Sequence, residues 1–250
     1  MIVLKLASCP SPRRRSLLAA LLVGFVALAF LPITAHAAPT KKGGKGAASH
    51  DDASEGGESP PTAAPSLPPP GTSPLAELKK SNAALKKLFQ KQPPSWSPET
   101  DAKRSDMRKI VSSFLDFEEL ARRSLARHWD GIAPKQRTEF VGVLRDLIER
   151  NYIKQVHGQP NYNLRFEKET INGSEATVQA TLDSESNGKK VAVSMEYKLL
   201  YKGSHWWVYD VVTDEQSMLE NYRAEFNKII NKESFDALLK RMKKRLENTE

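Results

Sequence analysis

The chain has 250 residues, 38 Lys and Arg against 30 Asp and Glu, a formal net charge of +8 and a single cysteine. Residues 1–37 hold Lys5, Arg13, Arg14 and Arg15 and no acid, so the remainder carries 34 basic against 30 acidic side chains, or +4. So small a surplus fits loose attraction to anionic membrane surfaces and gives no reason to expect nucleic acid. The lone Cys9 leaves no thiol and no disulfide beyond residue 37.

Residues 1–37 read as a secretory signal. Arg13, Arg14 and Arg15 form the charged start, "SLLAALLVGFVALAFL" (16–31) the apolar run, and Ala35-His36-Ala37 a small-residue cleavage site that predicts a mature start at Ala38. The alternative, an uncleaved anchor, is disfavoured because a spanning helix needs about 20 apolar residues. "RRRSLL" loosely resembles a twin-arginine signal, so either export route fits. A periplasmic location follows, in which a cysteine-free chain must fold by its core alone. Residues 38–73 are rich in Gly, Ala, Ser and Pro and poor in large apolar residues, so they are expected to be a disordered linker. One domain remains, 74–250, long enough for a real core.

Its first half predicts helices. Leu75, Leu78, Leu85 and Leu88 recur at helical spacing; Ser97-Pro98 caps a helix expected to reach Leu115. Asp116 caps the next, with Glu119 at the capping-box position and Phe117, Leu120 and Leu125 as an apolar stripe. A helix starting at Pro134 places Phe140, Val143, Leu144, Leu147, Ile148 and Tyr152 on one broad face. The second half turns to strands. Tyr162, Leu164 and Phe166 alternate with polar residues, and Asn172-Gly173 is a strong hairpin signal. Ala176, Val178, Ala180 and Leu182 share a face, and after Asn187-Gly188 so do Val191, Val193, Met195, Tyr197, Leu199 and Tyr201. The last strand, "HWWVYDVV", is apolar on both sides: Trp206, Val208 and Val212 with Asp210 on one, Trp207, Tyr209 and Val211 on the other. Two helices, about 217–230 and 234–247, close the chain. The expected fold is α+β, a helical layer on a curved four-stranded antiparallel meander.

No catalytic constellation is visible. His50 lies in the linker, His128 and His157 end helices, His205 sits in a hairpin turn, and none pairs with another at i, i+4. There is no Gly-x-Ser-x-Gly and no Gly-rich phosphate loop. Asp210, an acid in an apolar strand, reads either as a general base or as a hydrogen-bonded structural acid with Arg223 as candidate partner. The basic C-terminal "LLKRMKKRLE" reads as a solvated helix face or a contact for anionic lipid, nucleic acid or a partner protein.

"LDFEELARRSLARHWDGIAPKQRTEFVGVLRDLIERNY" resembles the periplasmic phospholipid-binding family of the Mla system, also known as toluene-tolerance proteins. The resemblance rests on Leu115-Asp116-Phe117-Glu118, on Leu125 to Trp129, on Pro134, Gln136, Arg137 and Phe140, and on Tyr152. "WWVYDVV" followed by "SMLENYRAEF" extends it over about 100–245. The chain departs from the pattern at Leu115, at Trp207, and at Glu215, where glycine is usual.

The resemblance implies a non-enzymatic carrier of cystatin-like or nuclear-transport-factor-like fold. Such a carrier takes glycerophospholipid as cargo without a cofactor or metal, and moves it between an outer-membrane lipoprotein or porin complex and an inner-membrane ABC transporter. The lipid-contacting candidates are Phe117, Phe140, Leu144, Leu147, Tyr152, Met218, Tyr222 and Phe226 from the helices. From the strands they are Leu164, Phe166, Val193, Met195, Tyr197, Leu199, Tyr209 and Val211. Periodicity alone does not separate a ligand wall from a filled core, although Ala176 and Ala180 would leave room. The alternatives are an interaction module of the same fold, or a small hydrolase using the same pocket with Asp210 as base.

Overall fold

The structure is a computed structural model that describes residues 64–90, 101–157, 162–186 and 189–247. The expected signal peptide, most of the expected linker, the Ser97-Pro98 helix start and the Asn187-Gly188 turn lie outside the described residues. In chain order the elements are α1 (Pro74–Gln90), α2 (Asp101–Ser112), α3 (Phe117–Leu125), a 3-10 turn (Ala126–His128) and α4 (Pro134–His157). Then follow β1 (Tyr162–Asn172), β2 (Glu175–Ser186), β3 (Lys189–Lys202), β4 (His205–Thr213), β5 (Gln216–Ser217), α5 (Met218–Lys232) and α6 (Phe235–Glu247). No described helix is long and apolar enough to cross a membrane.

The helix starts follow local chemistry. Asp116 Oδ1 accepts from Glu119 N at 3.0 Å, Ser217 Oγ from Glu220 N at 3.0 Å, and Ser234 Oγ from Ala237 N at 3.1 Å. The expected capping box is only half formed. Glu119 turns to Arg122 and Arg123 instead of reaching back, and Asp116 N donates to Val208 O at 2.8 Å. Residues 114–116 thereby act as a short edge strand on β4, since Val208 N also donates to Phe114 O at 2.8 Å.

The sheet is antiparallel in the order β1-β2-β3-β4-β5. It has five strands rather than the expected four. Asp214 and Glu215, at φ 45° and 67°, make a two-residue turn that brings β5 back onto β4, where Thr213 pairs with Gln216. No glycine or asparagine marks this turn, so its signal is missing from the sequence. The β1–β2 turn is one residue later than expected, at Gly173-Ser174, because Asn172 still pairs with Glu175.

A β-bulge changes the reading of β4. Lys198 of β3 pairs with Asp210, yet its neighbour Leu199 pairs with Val208, so Tyr209 is an extra residue with no partner. Strict alternation therefore fails. Trp206 and Val208 lie opposite Tyr201 and Leu199, while beyond the bulge Val211 and Thr213 lie opposite Tyr197 and Met195. These four form the apolar face of β4; Asp210 and Val212 fall on the other face.

The end of the segment expected to be disordered is in place. β3 outruns β2, whose pairing stops at Leu200, and Ser66 N donates to Tyr201 O at 3.0 Å. Helix α1 is then tied across this end of the sheet. Glu169 Oε2 of β1 accepts from Ser73 Oγ (2.7 Å) and Leu75 N (2.9 Å). Glu77 Oε2 accepts from Trp206 N of β4 (3.0 Å) and lies 2.8 Å from His205 Nδ1. Helix α4 packs mainly on α2, α3 and α6, and α5 on α3, α6 and β4. Between α2 and α4, Glu149 is buried against Ser112 Oγ (3.0 Å) and Arg108 Nε (3.2 Å). Burial pushes its carboxyl above the ordinary value, and the Ser112 hydrogen bond and the Arg108 charge only partly offset this.

Two outcomes are expected. Glu215→Gly removes a left-handed strain that glycine does not feel and should raise unfolding stability by about 1 kcal/mol in denaturant titration. Because the folded-state pKa of Glu149 is raised, its ionisation with rising pH costs stability. Glu149→Gln should then melt higher than the parent at pH 7 and match it near pH 4, by calorimetry across that range.

Candidate functional site

The apolar face of the sheet is filled at one end and half open at the other. At the end crossed by α1, Val178, Leu199, Tyr201, Trp206 and Val208 are fully buried, with Leu78 of α1 in the same cluster. Toward the opposite end Val193, Met195 and Val211 are still buried. Their neighbours Leu164, Phe166, Leu182, Val191 and Tyr197 are only half-buried. Register joins these residues into rows: Leu164 lies opposite Leu182 and Leu182 opposite Val193, while Phe166 lies opposite Ala180 and Ala180 opposite Met195. Phe166 and Tyr197 tilt against each other with ring centroids 6.4 Å apart. Ala180, between Phe166 and Met195, leaves the middle of its row low.

The sequence-derived candidates divide into three groups. Leu164, Phe166, Val193, Met195, Tyr197, Leu199 and Val211 share this face. Phe140, Tyr222 and Phe226 instead form a ring cluster between helices: Phe140 meets Phe226 edge-on at 5.4 Å, and Tyr222 stacks on Phe226 at 5.4 Å. Phe235, absent from the candidates, completes it at 5.8 Å from Phe140. Phe117, Leu144, Leu147 and Met218 are buried in the common core, and the side chain of Tyr152 lies outside the described residues. Tyr209 is the exception. As the bulge residue it leaves the apolar face, and its ring lies 4.0 Å under the Arg123 guanidinium, which also donates to Glu175 of β2 at 2.8 Å.

Sequence reasoning missed Trp206 and Thr213, which strict alternation placed off this face or left unassigned. The bulge that brings them in has no signature in "WVYDVVT". Leu182 and Val191 had a legible alternation and join the open end.

Most of the charged groups around the face are engaged with one another. Asp210 is fully buried; its Oδ1 accepts from Leu219 N at 2.9 Å and its Oδ2 from Ser217 Oγ at 2.7 Å, with Lys198 Nζ at 3.5 Å. It thus holds the start of α5. The expected pairing with Arg223 is not made: Arg223 points to α3, donating to Arg123 O at 3.1 Å, and to Glu220 at 2.6 Å. Lys202 Nζ and Asp116 Oδ2 form a buried ion pair at 2.5 Å. Burial raises the Glu119 carboxyl, but hydrogen bonds from Arg122 and Arg123 outweigh it and hold the group below its ordinary value. Burial also pushes the Tyr222 hydroxyl above its ordinary range. His128 Nε2 lies 3.0 Å from Asn227 Oδ1, and His205 against Trp207 and Glu77. Among the described residues no His, Cys, Asp and Glu side chains gather in a group of three that could hold a metal ion.

The family model of the MlaC protein matches residues 79–244, from α1 to α6. The chain belongs to the MlaC family. It is 23% identical over 141 residues to the intermembrane phospholipid transport system binding protein MlaC of Haemophilus influenzae. That alignment takes in 56% of this chain and just under two thirds, 66%, of the relative. The fold resembles that of a phospholipid-binding protein from Ralstonia solanacearum solved in complex with a phospholipid. The TM-score is 0.59 at 17% identity, over 70% of this chain and 97% of the other. MlaC-family membership covers the half-open face and both helices that follow it.

Asp210→Ala would leave Leu219 N, Ser217 Oγ and Lys198 without their acceptor. A loss of about 2–3 kcal/mol is expected in urea titration.

Proposed function

We propose that this chain is a soluble periplasmic carrier that takes the acyl tails of a glycerophospholipid against the apolar face of its sheet. It passes the lipid between an outer-membrane lipoprotein or porin complex and an inner-membrane ABC transporter. The observation that carries the reading is the gradient along that face, packed solid beneath the first turns of α1 and half open where Leu164, Phe166, Leu182, Val191 and Tyr197 gather. Two acyl chains hold about thirty methylenes, and at ~0.8 kcal/mol each their exposure to water costs on the order of 20–25 kcal/mol. A carrier needs apolar surface to offset this, and no catalytic group. The MlaC family match and the phospholipid in the Ralstonia neighbour support the choice of ligand. The signal-like residues 1–37 support the periplasm, and the charge of +4 beyond them suits a protein that meets anionic membrane surfaces. A hydrolase reading gains no support, since both oxygens of Asp210 are already bound inside the fold.

Organic extraction of the purified protein followed by mass spectrometry should release glycerophospholipid, and the emptied protein should reload from vesicles. Phe166→Asp should leave the circular dichroism spectrum unchanged and cut loading at least tenfold, because a carboxylate at that place opposes tail entry. An extract free of phospholipid together with no uptake from vesicles would overturn the reading.

A further inference from the structure

Toward its half-open end the apolar face carries a buried polar side chain that tail binding leaves unused. Thr213 ends β4 opposite Met195, and its row continues through Ala180 to Phe166 at the half-open edge. The residue is 6% exposed, and its hydroxyl oxygen is buried with no hydrogen-bond partner. Such a hydroxyl has given up water without replacement, which folding disfavours. Nothing in the strand demands it: valine has the same branched shape and an equal or better fit to a half-buried sheet. The hydroxyl thus sits where only its chemistry distinguishes it from a methyl group. The other orphan on this face, Trp206 Nε1, lies at the filled end, where its ring meets Tyr201 edge-on at 5.1 Å.

The surroundings of Thr213 select the group it would meet. Met195 and Gln216 lie opposite it on the two neighbouring strands, Val211 precedes it on the same face, and the Tyr197 hydroxyl is directed to Met195 Sδ at 3.9 Å. The nearest lysine along β3, Lys198, is on the opposite face with Asp210. A phosphate would lose its hydration here and find no cation. A neutral acceptor, the carbonyl of an acyl ester, asks only for one donor in an apolar setting.

We propose that the Thr213 hydroxyl donates a hydrogen bond to an ester carbonyl of a bound diacyl lipid, setting the depth at which the glycerol sits near the half-open end. This rests on the carrier reading and extends it from the tails to the linkage that joins them to glycerol. It makes Thr213 a residue that favours ester-linked over ether-linked lipid.

The test compares binding of diacyl phosphatidylglycerol and its dialkyl ether analogue, which lacks both carbonyls, to the purified parent protein, Thr213→Val and Thr213→Ser. The parent should prefer the ester by roughly three- to tenfold, the range of one net hydrogen bond. Thr213→Val should lose that preference while keeping its affinity for the ether, and Thr213→Ser should retain it. A parent without preference, or a Thr213→Val protein that keeps the preference or weakens for both lipids alike, would overturn the assignment. A Thr213→Val melting temperature at or above that of the parent shows that the variant is folded. If the parent takes up neither lipid, the carrier reading falls first and this assignment with it, a result distinct from uptake without discrimination.

Discussion

The extra residue at Tyr209 is the constraint around which the rest is arranged. By inserting one residue between Val208 and Asp210, it lets the same strand serve two different neighbourhoods. Before the bulge, Trp206 and Val208 face the core, and Val208 exchanges hydrogen bonds with the 114–116 edge. After it, Val211 and Thr213 face the core, and Asp210 turns to the opposite side, where it holds the first turn of α5. Without the bulge a regular strand would place Asp210 on the face shared by Trp206 and Val208, or carry those two out of it. The displaced Tyr209 ring finds its own cover under Arg123, which Glu119 fixes in place.

The two ends of the sheet then acquire different characters. At one end carboxylates act as anchors for a helix: Glu169 receives the N-terminus of α1, and Glu77 reaches from α1 to the backbone of β4. These bonds hold Leu78 over the apolar face and close it. At the opposite end the contact from α1 is a long, exposed one, Lys86 Nζ to Asn163 Oδ1 of β1 at 3.5 Å, and there the face is covered only in part. Helix α4 devotes its buried side to other helices, with Phe140 in a ring cluster against α5 and α6 rather than against the strands. A sheet that is apolar along its length but covered along only part of it suits a long apolar guest.

The buried charges are structural in this arrangement. Asp210, Asp116 and Glu119 each meet a cation or a helix N-terminus, and Lys202 meets Asp116. Such pairs are costly to break one member at a time. They locate α3 and α5 against β4; on the face itself Glu169 is engaged at the start of α1, and the Thr213 hydroxyl near the open end has no partner.

The sequence by itself determined the order of the helices and of β1 to β4, the meander, the Asp116 and Pro134 helix starts, and the apolar face of β2, β3 and the first half of β1. Each is written in local signals: a period of two or of 3.6, a cap, a proline at a first turn. The motifs around Phe117 and Trp206 also pointed to the MlaC family. Only the tertiary structure decided which face Tyr209, Val211 and Thr213 occupy, because a bulge is set by competition between strand pairing and burial and leaves no mark in "WVYDVVT". It alone separated Phe140, Tyr222 and Phe226, which serve the helix core, from Leu164, Phe166 and Tyr197, which border the open end. A core and a wall have the same periodicity, and they differ only in what, if anything, packs on the far side.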